Sequence, residues 1–185
     1  MDVLNSIGKL NAGKGDGNGG LTIDNFINVS EELSVHVSFL FSGLITHGTV
    51  SEDMSLSTVI PIPKVRNCSL VGSTNYRGIA LSSIFGKLFD LIVLSRYSDK
   101  LLTSDLQFGF KAKRSTSMYT MVLKEVISYY VNNGSSVCCT LLDAIKAFDR
   151  VEYCKLFRVL LDRKLSVACI RFLANMYTRH VTRVS

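Results

Sequence analysis

Apolar positions Leu33, Val37, Leu40, Phe41 and Leu44 recur at three- and four-residue intervals, the spacing that lays one stripe along an α-helix. Ser30 stands where an N-cap belongs, Glu31 and Glu32 fill the first turn, and Gly48 follows as a stop; cap, acids and glycine each suit their end of a helix. A second helix opens at Ser82 or Ser83, carries Phe85, Leu88, Phe89 and Ile92 on one face, and runs to about Leu102. A third starts near Ser115, with Tyr119, Val122, Val126 and Tyr130 as its buried side, and ends at Asn132-Asn133-Gly134. Asp149-Arg150-Val151-Glu152 has the spacing of a capping box, with Asp in place of Ser or Thr, and opens a helix through Cys154, Phe157, Leu160 and Leu161. Ser166 begins another, carrying Val167, Ile170, Leu173, Met176 and Tyr177.

Strand signals are fewer. STVIPIPK at 57–64 is strand-like, but Pro61 and Pro63 have no N–H to give a ladder, which predicts an edge strand or an extended segment. VCCTLL at 137–142 is short, apolar and uninterrupted, the pattern of a central strand. The tail HVTRVS alternates like the beginning of a strand. Glycine-rich residues 11–20 and the polar stretch 65–74 read as loops, and LTIDNFINV is a short apolar segment between the glycine-rich run and the first helix.

Composition narrows the class. The chain has 185 residues, 47% of them hydrophobic and 19% charged, with two prolines; this is a folded composition with enough apolar mass for one ordinary core. The net charge of +6 favours polyanionic partners without specifying one. Five cysteines, Cys68, Cys138, Cys139, Cys154 and Cys169, form no C-x-x-C pair, and the three histidines have no ligand spacing. No disulfide partner and no zinc site are expected, and a reducing intracellular compartment, cytoplasmic or nuclear, fits best. No membrane segment is expected either. The N-terminus lacks a signal-peptide core, and SVHVSFLFSGLI at 34–45 is too short to span a bilayer.

Two glycine-rich runs mimic phosphate loops. GKLNAGKG at 8–15 lacks the hydroxyl that would hold Mg²⁺, since Gly15 stands there, and GDGNGG at 15–20 has no strand leading into it; a flexible loop is the better reading of both. Asp143 is different. It ends the predicted strand, where a carboxylate reaches solvent and a hard cation while its neighbours stay buried. Spacing alone favours a plain strand–turn–helix with polar turn residues. Asp149 is explained as the cap of the next helix. Lys146 pairs with one of the two acids or orients the turn.

LLDAIKAFDRVEY at 141–153 resembles the first catalytic block of reverse transcriptases, the RNA-directed DNA polymerases of non-LTR retrotransposons and group II introns, with Ile145 where Ser is usual. Further resemblances follow in the expected order. GKGDGNGGLTIDNF is similar to the family's N-terminal extension. LSTVIPIPK resembles the first fingers block, and NYRGIALSSIFGKLF the second, with Gly78 for the usual Pro and Ala80 for Ser. QFGFKAKRST resembles the Q-x-G-F-R block. The resemblance covers about residues 13–185.

It implies an α+β fold: a glycine-rich segment over 1–20, a mostly helical fingers-like region over 21–135, and over 136–185 an incomplete palm with its first strand and helices. It assigns Asp143 as catalytic metal ligand and Ala144 as the backbone ligand beside it. Phe148 takes the steric-gate position, which selects deoxynucleotides. Lys64 and Arg77 grip the incoming triphosphate, a role suited to cations that offset phosphate charge. Lys111, Lys113 and Arg114 form a nucleic-acid-binding loop, with an exposed basic turn as the equal alternative. RNA template, DNA primer and dNTP are the implied partners, and Mg²⁺ the cofactor of the complete enzyme, used as a pair of ions in nucleotidyl transfer.

The family's remaining acids come from an Asp-Asp hairpin, and no adjacent Asp-Asp pair occurs in these residues. The glycine-rich block before that hairpin is also missing. The expectation is a fragment of a mobile-element polymerase that is inactive alone, or a non-catalytic nucleic-acid-binding remnant, with VCCTLL short of sheet partners.

Overall fold

A computed structural model describes residues 2–13, 15, 20–28, 31–64, 71–144 and 146–185. In chain order the elements are α1 (Asp2–Ile7), α2 (Asp24–Ile27), α3 (Glu31–His47), α4 (Glu52–Ser55), β1 (Leu56–Pro63), a 3-10 turn (Ser73–Asn75), β2 (Tyr76–Ser82), α5 (Ile84–Arg96), α6 (Thr116–Asn132), α7 (Tyr153–Asp162), α8 (Val167–Thr178) and β3 (Val181–Val184). The fold is therefore α+β. Two compact units result: Met1–Lys100 with Tyr153–Ser185, and Leu101–Glu152.

The first unit holds the core. Phe89 on α5 and Phe172 on α8 are fully buried and tilt against each other at 4.5 Å between ring centroids, while Phe41 of α3 meets Phe89 edge-on at 5.5 Å. Leu88 and Phe89 are buried as the helical spacing predicts, Ile84 joins them, and the predicted Phe85 and Ile92 are only partly buried against the same core. Ser83 is the N-cap: its Oγ accepts the Gly86 N–H at 3.1 Å. Ser166 caps α8 in the same way, accepting from Cys169 at 3.2 Å. The expected cap Ser30 lies outside the described residues, as do most of GDGNGG, Cys68 and most of the 65–74 loop. The helix α1 runs up to the near-match GKLNAGKG, where a phosphate loop would need a strand.

Four expectations change. α5 stops at Arg96 rather than near Leu102, because the following turn is held by tertiary bonds: the Lys100 ammonium donates to the Lys164 carbonyl at 3.0 Å, and the Tyr97 and Ser166 hydroxyls bond at 3.0 Å. α7 starts at Tyr153, not after Asp149. Lys146 has φ +53, and its carbonyl accepts the Arg150 N–H at 3.1 Å, so residues 146–150 close as a turn and Asp149 lies inside it rather than at the start of α7.

The third change concerns β1, which is the middle strand of a three-stranded sheet ordered β2-β1-β3 rather than an edge. Antiparallel pairing with β2 runs from Ser57↔Ser82 to Pro63↔Tyr76, and parallel pairing with β3 runs only from Leu56↔Val181 to Val59↔Val184. Pro61 and Pro63 lie beyond that short ladder. The Lys64 N–H donates to Asn75 at 2.8 Å, so strand alternation turns both proline nitrogens toward the side β3 leaves open. The fourth change is VCCTLL: residues 137–144 join no β-ladder and are exposed throughout.

In the second unit, α6 begins where the sequence predicts, with Ser115 as its cap, the Oγ accepting from Met118 at 3.3 Å. Its expected buried side is not buried. Tyr119, Val122, Val126 and Tyr130 all remain between 47% and 50% exposed.

Candidate functional site

Of the residues assigned to the triphosphate, Arg77 lies on β2 opposite Ile62 of β1, and Lys64 follows two residues after Ile62. Lys64 itself lies just past the end of β1, where its N–H donates to the Asn75 carbonyl at 2.8 Å. Both are exposed. The two cations therefore stand at the same end of the β1–β2 hairpin, away from β3.

The remaining assigned residues belong to the second unit. Lys111 is committed to its own loop: its ammonium pairs with Asp105 at 2.9 Å and donates to the Ser104 carbonyl at 3.2 Å. This hydrogen bond and charge hold the Asp105 carboxyl below its ordinary range. Arg114 stacks its guanidinium over Phe108 at 5.5 Å, and Phe108 in turn tilts against Tyr119 at 5.7 Å. Lys113 is exposed, with φ +59, and has no ion pair or hydrogen bond among the described residues. The three cations therefore divide: Lys111 braces the loop, Arg114 lies against an aromatic ring, and Lys113 faces solvent.

Phe148, which the resemblance assigns to the steric gate, is 75% exposed and meets Phe110, itself 94% exposed, edge to face at 5.7 Å. The pair leaves two phenyl rings open to solvent, one of them three residues before Lys113. The pairing is not legible in the sequence, because the two rings lie far apart along the chain. The aromatic Phe110 within QFGFKAKRST is its only local signal.

Asp143 and Ala144 are both exposed, in the segment without a ladder. Asp143 has no ion pair or hydrogen bond among the described residues, and there Lys146 pairs with neither Asp143 nor Asp149. Among the described residues no three His, Cys, Asp or Glu side chains converge as a metal site. One carboxylate and one carbonyl do not make the oxygen shell that a pair of Mg²⁺ ions requires, so the residues present do not fit that cofactor.

A second constellation is not visible in the motif pattern. Asp90 of α5 opens onto a cleft of about 290 Å³ in the first unit, shared with Tyr153, Met176, Tyr177 and His180. Its only sequence signal is an acid interrupting the apolar run between Phe89 and Leu91.

Among the described residues no helix is long and apolar enough to cross a membrane, and the described cysteines Cys138, Cys139, Cys154 and Cys169 are all free thiols. Comparison with protein-family models and with curated proteins finds no match for this chain.

Proposed function

We propose that these residues are part of a reverse transcriptase of the non-LTR retrotransposon type, and that by themselves they bind nucleic acid without copying it. The observation that carries the reading is the ordered series of motif blocks ending in Asp143-Ala144-Ile145-Lys146-Ala147-Phe148-Asp149. Two features of the geometry support the binding half. Lys64 and Arg77 stand at the same end of the β1–β2 hairpin, and the exposed Phe110–Phe148 pair accompanies Lys113. Cations release counterions from a phosphate backbone, and aromatic faces stack on bases without sequence preference. The lone Asp143 supports the other half, since a single carboxylate leaves nucleotidyl transfer without its ions.

Fluorescence anisotropy with labelled single-stranded RNA, read across a salt series, tests binding. Affinity should fall linearly with salt on logarithmic axes. Phe110→Ala or Phe148→Ala should each weaken it by about 1–3 kcal/mol, the usual worth of one stacked base. Lys113→Ala should weaken it more than Lys111→Ala, because Lys111 is already engaged by Asp105. Primer extension with RNA template, dNTPs and Mg²⁺ should give no product. Salt-independent binding unaffected by either phenylalanine, or robust synthesis lost in Asp143→Asn, would each overturn the corresponding half.

A further inference from the structure

The Asp90 cleft has a wall, a floor and an unbalanced charge. Tyr153, the first residue of α7, and Tyr177, near the end of α8, stand with ring centroids 5.1 Å apart at 40°. Phe157 backs both, at 6.4 Å from Tyr153 and 6.2 Å from Tyr177. Met54 and Met176 add polarizable sulfur to the lining. His180 also lines it, and its Nε2 is bonded to the Ser57 hydroxyl at 2.9 Å.

Among the described residues that line the cleft, Asp90 is the only acid, and there is no lysine or arginine. It has no ion pair or hydrogen bond among the described residues. The residue is exposed as a whole, yet desolvation of its carboxyl by the surrounding protein pushes it from 3.8 up to about 6. Tyr177 is pushed up as well, first by its own burial, then by the charges of Asp90 and Tyr153. An anion with its water partly removed and no lysine or arginine in the described lining leaves room for a positive ligand. A metal ion would need several more oxygen ligands, and the described residues hold no such cluster. An organic ammonium needs one carboxylate, and gains further from aromatic faces.

We propose that this cleft binds a small organic cation, an ammonium group on an apolar body, with Asp90 as counter-ion and Tyr153 and Tyr177 as the cation-facing wall. The site is separate from the nucleotidyl-transfer reading, because its described lining includes no residue given a polymerase role. Reciprocity fixes the pH dependence: a cation that prefers ionised Asp90 must lower the pKa of Asp90 when bound. Its apparent affinity rises as pH rises through about 6 and levels off above that. Besides Asp90, the titratable groups in the described lining are Tyr153, Tyr177 and His180.

The test titrates the 185-residue chain with phenethylammonium and, separately, with its neutral counterpart 2-phenylethanol. It follows the Asp90 carboxyl carbon and the tyrosine rings by NMR. The expected result is binding of the amine about tenfold tighter than the alcohol, with the Asp90 pKa lowered by about one unit at saturation. Asp90→Asn should abolish the preference for the amine, and Tyr177→Leu should weaken the amine more than the alcohol. Equal affinity for the two probes, no saturable binding of the amine, or an Asp90 titration unmoved by it would overturn the proposal. The titration uses the unaltered chain, so its outcome decides the matter even if a variant fails to fold.

Discussion

Gly48 shows how much one residue can fix. It follows α3 with φ +67, and a Cβ at this position would sit 2.6 Å from Nε of Arg171. The same Arg171 donates to the Thr46 carbonyl, and the Asn175 amide donates to Gly48 itself. The end of α3 and the flank of α8 therefore meet on a surface that only glycine leaves clear. Gly48→Ala should destabilise the first unit by at least the ~1–2 kcal/mol that a left-handed backbone costs an ordinary residue, with more added if Arg171 cannot withdraw. Urea unfolding measures it. A loss under about 0.5 kcal/mol, the range of an ordinary surface substitution, would show that the turn is not held left-handed. The glycine stop is legible in the sequence because C-terminal capping is local. Its contact with Arg171 is not, because that contact joins residues far apart along the chain.

The same distinction governs the elements. Ser83, Ser115 and Ser166 are readable as helix starts because each cap involves a donor three residues away. The stripe on α6 is equally readable, but periodicity reports that one face is apolar and not what covers it. In α5 the stripe meets Phe41 and Phe172 across the core. In α6 it stays open. The two helices should therefore respond differently to substitution. Phe89→Ala, at a fully buried ring, should cost about 3–5 kcal/mol. Val122→Lys and Val126→Lys should each change stability by no more than about 0.5 kcal/mol, since both positions already see water. Chemical denaturation of the three variants separates the cases, and losses of several kcal/mol at Val122 or Val126 would mean that the α6 stripe is packed in solution. The β1 prolines teach a related lesson. Their missing N–H groups signal an edge, and over residues 61–63 the strand does have an open side. What the sequence conceals is the four-residue β3, whose partners on β1 lie more than a hundred positions earlier.

At the scale of the whole chain, the motif blocks and the packing answer to different constraints. The blocks are linear, so Lys64, Arg77, Asp143 and Phe148 stand out without any fold. Which of them converge depends on pairing that a single sequence does not display. The hairpin puts Lys64 and Arg77 at one of its ends, and a ring contact unites Phe148 with Phe110, whereas Asp143 lies in a segment that joins no ladder among the described residues. VCCTLL has the composition of a buried strand, and burial is what such a composition demands of its surroundings rather than something it can supply alone. Leu141 and Leu142 instead stand 79% and 95% exposed, with their backbone amides open to water. Hydrogen exchange resolves this directly, because protection follows ladder bonds and burial. Amides of α5, α8 and the β1–β2 ladder should exchange through the slow, cooperative opening of the first unit. Those of 137–144 should exchange near the rate of an unstructured peptide. Strong protection across 137–144 in the monomer would mean that the segment finds a strand partner after all, and that Asp143 stands at the rim of a sheet, as its apolar lead-in suggests.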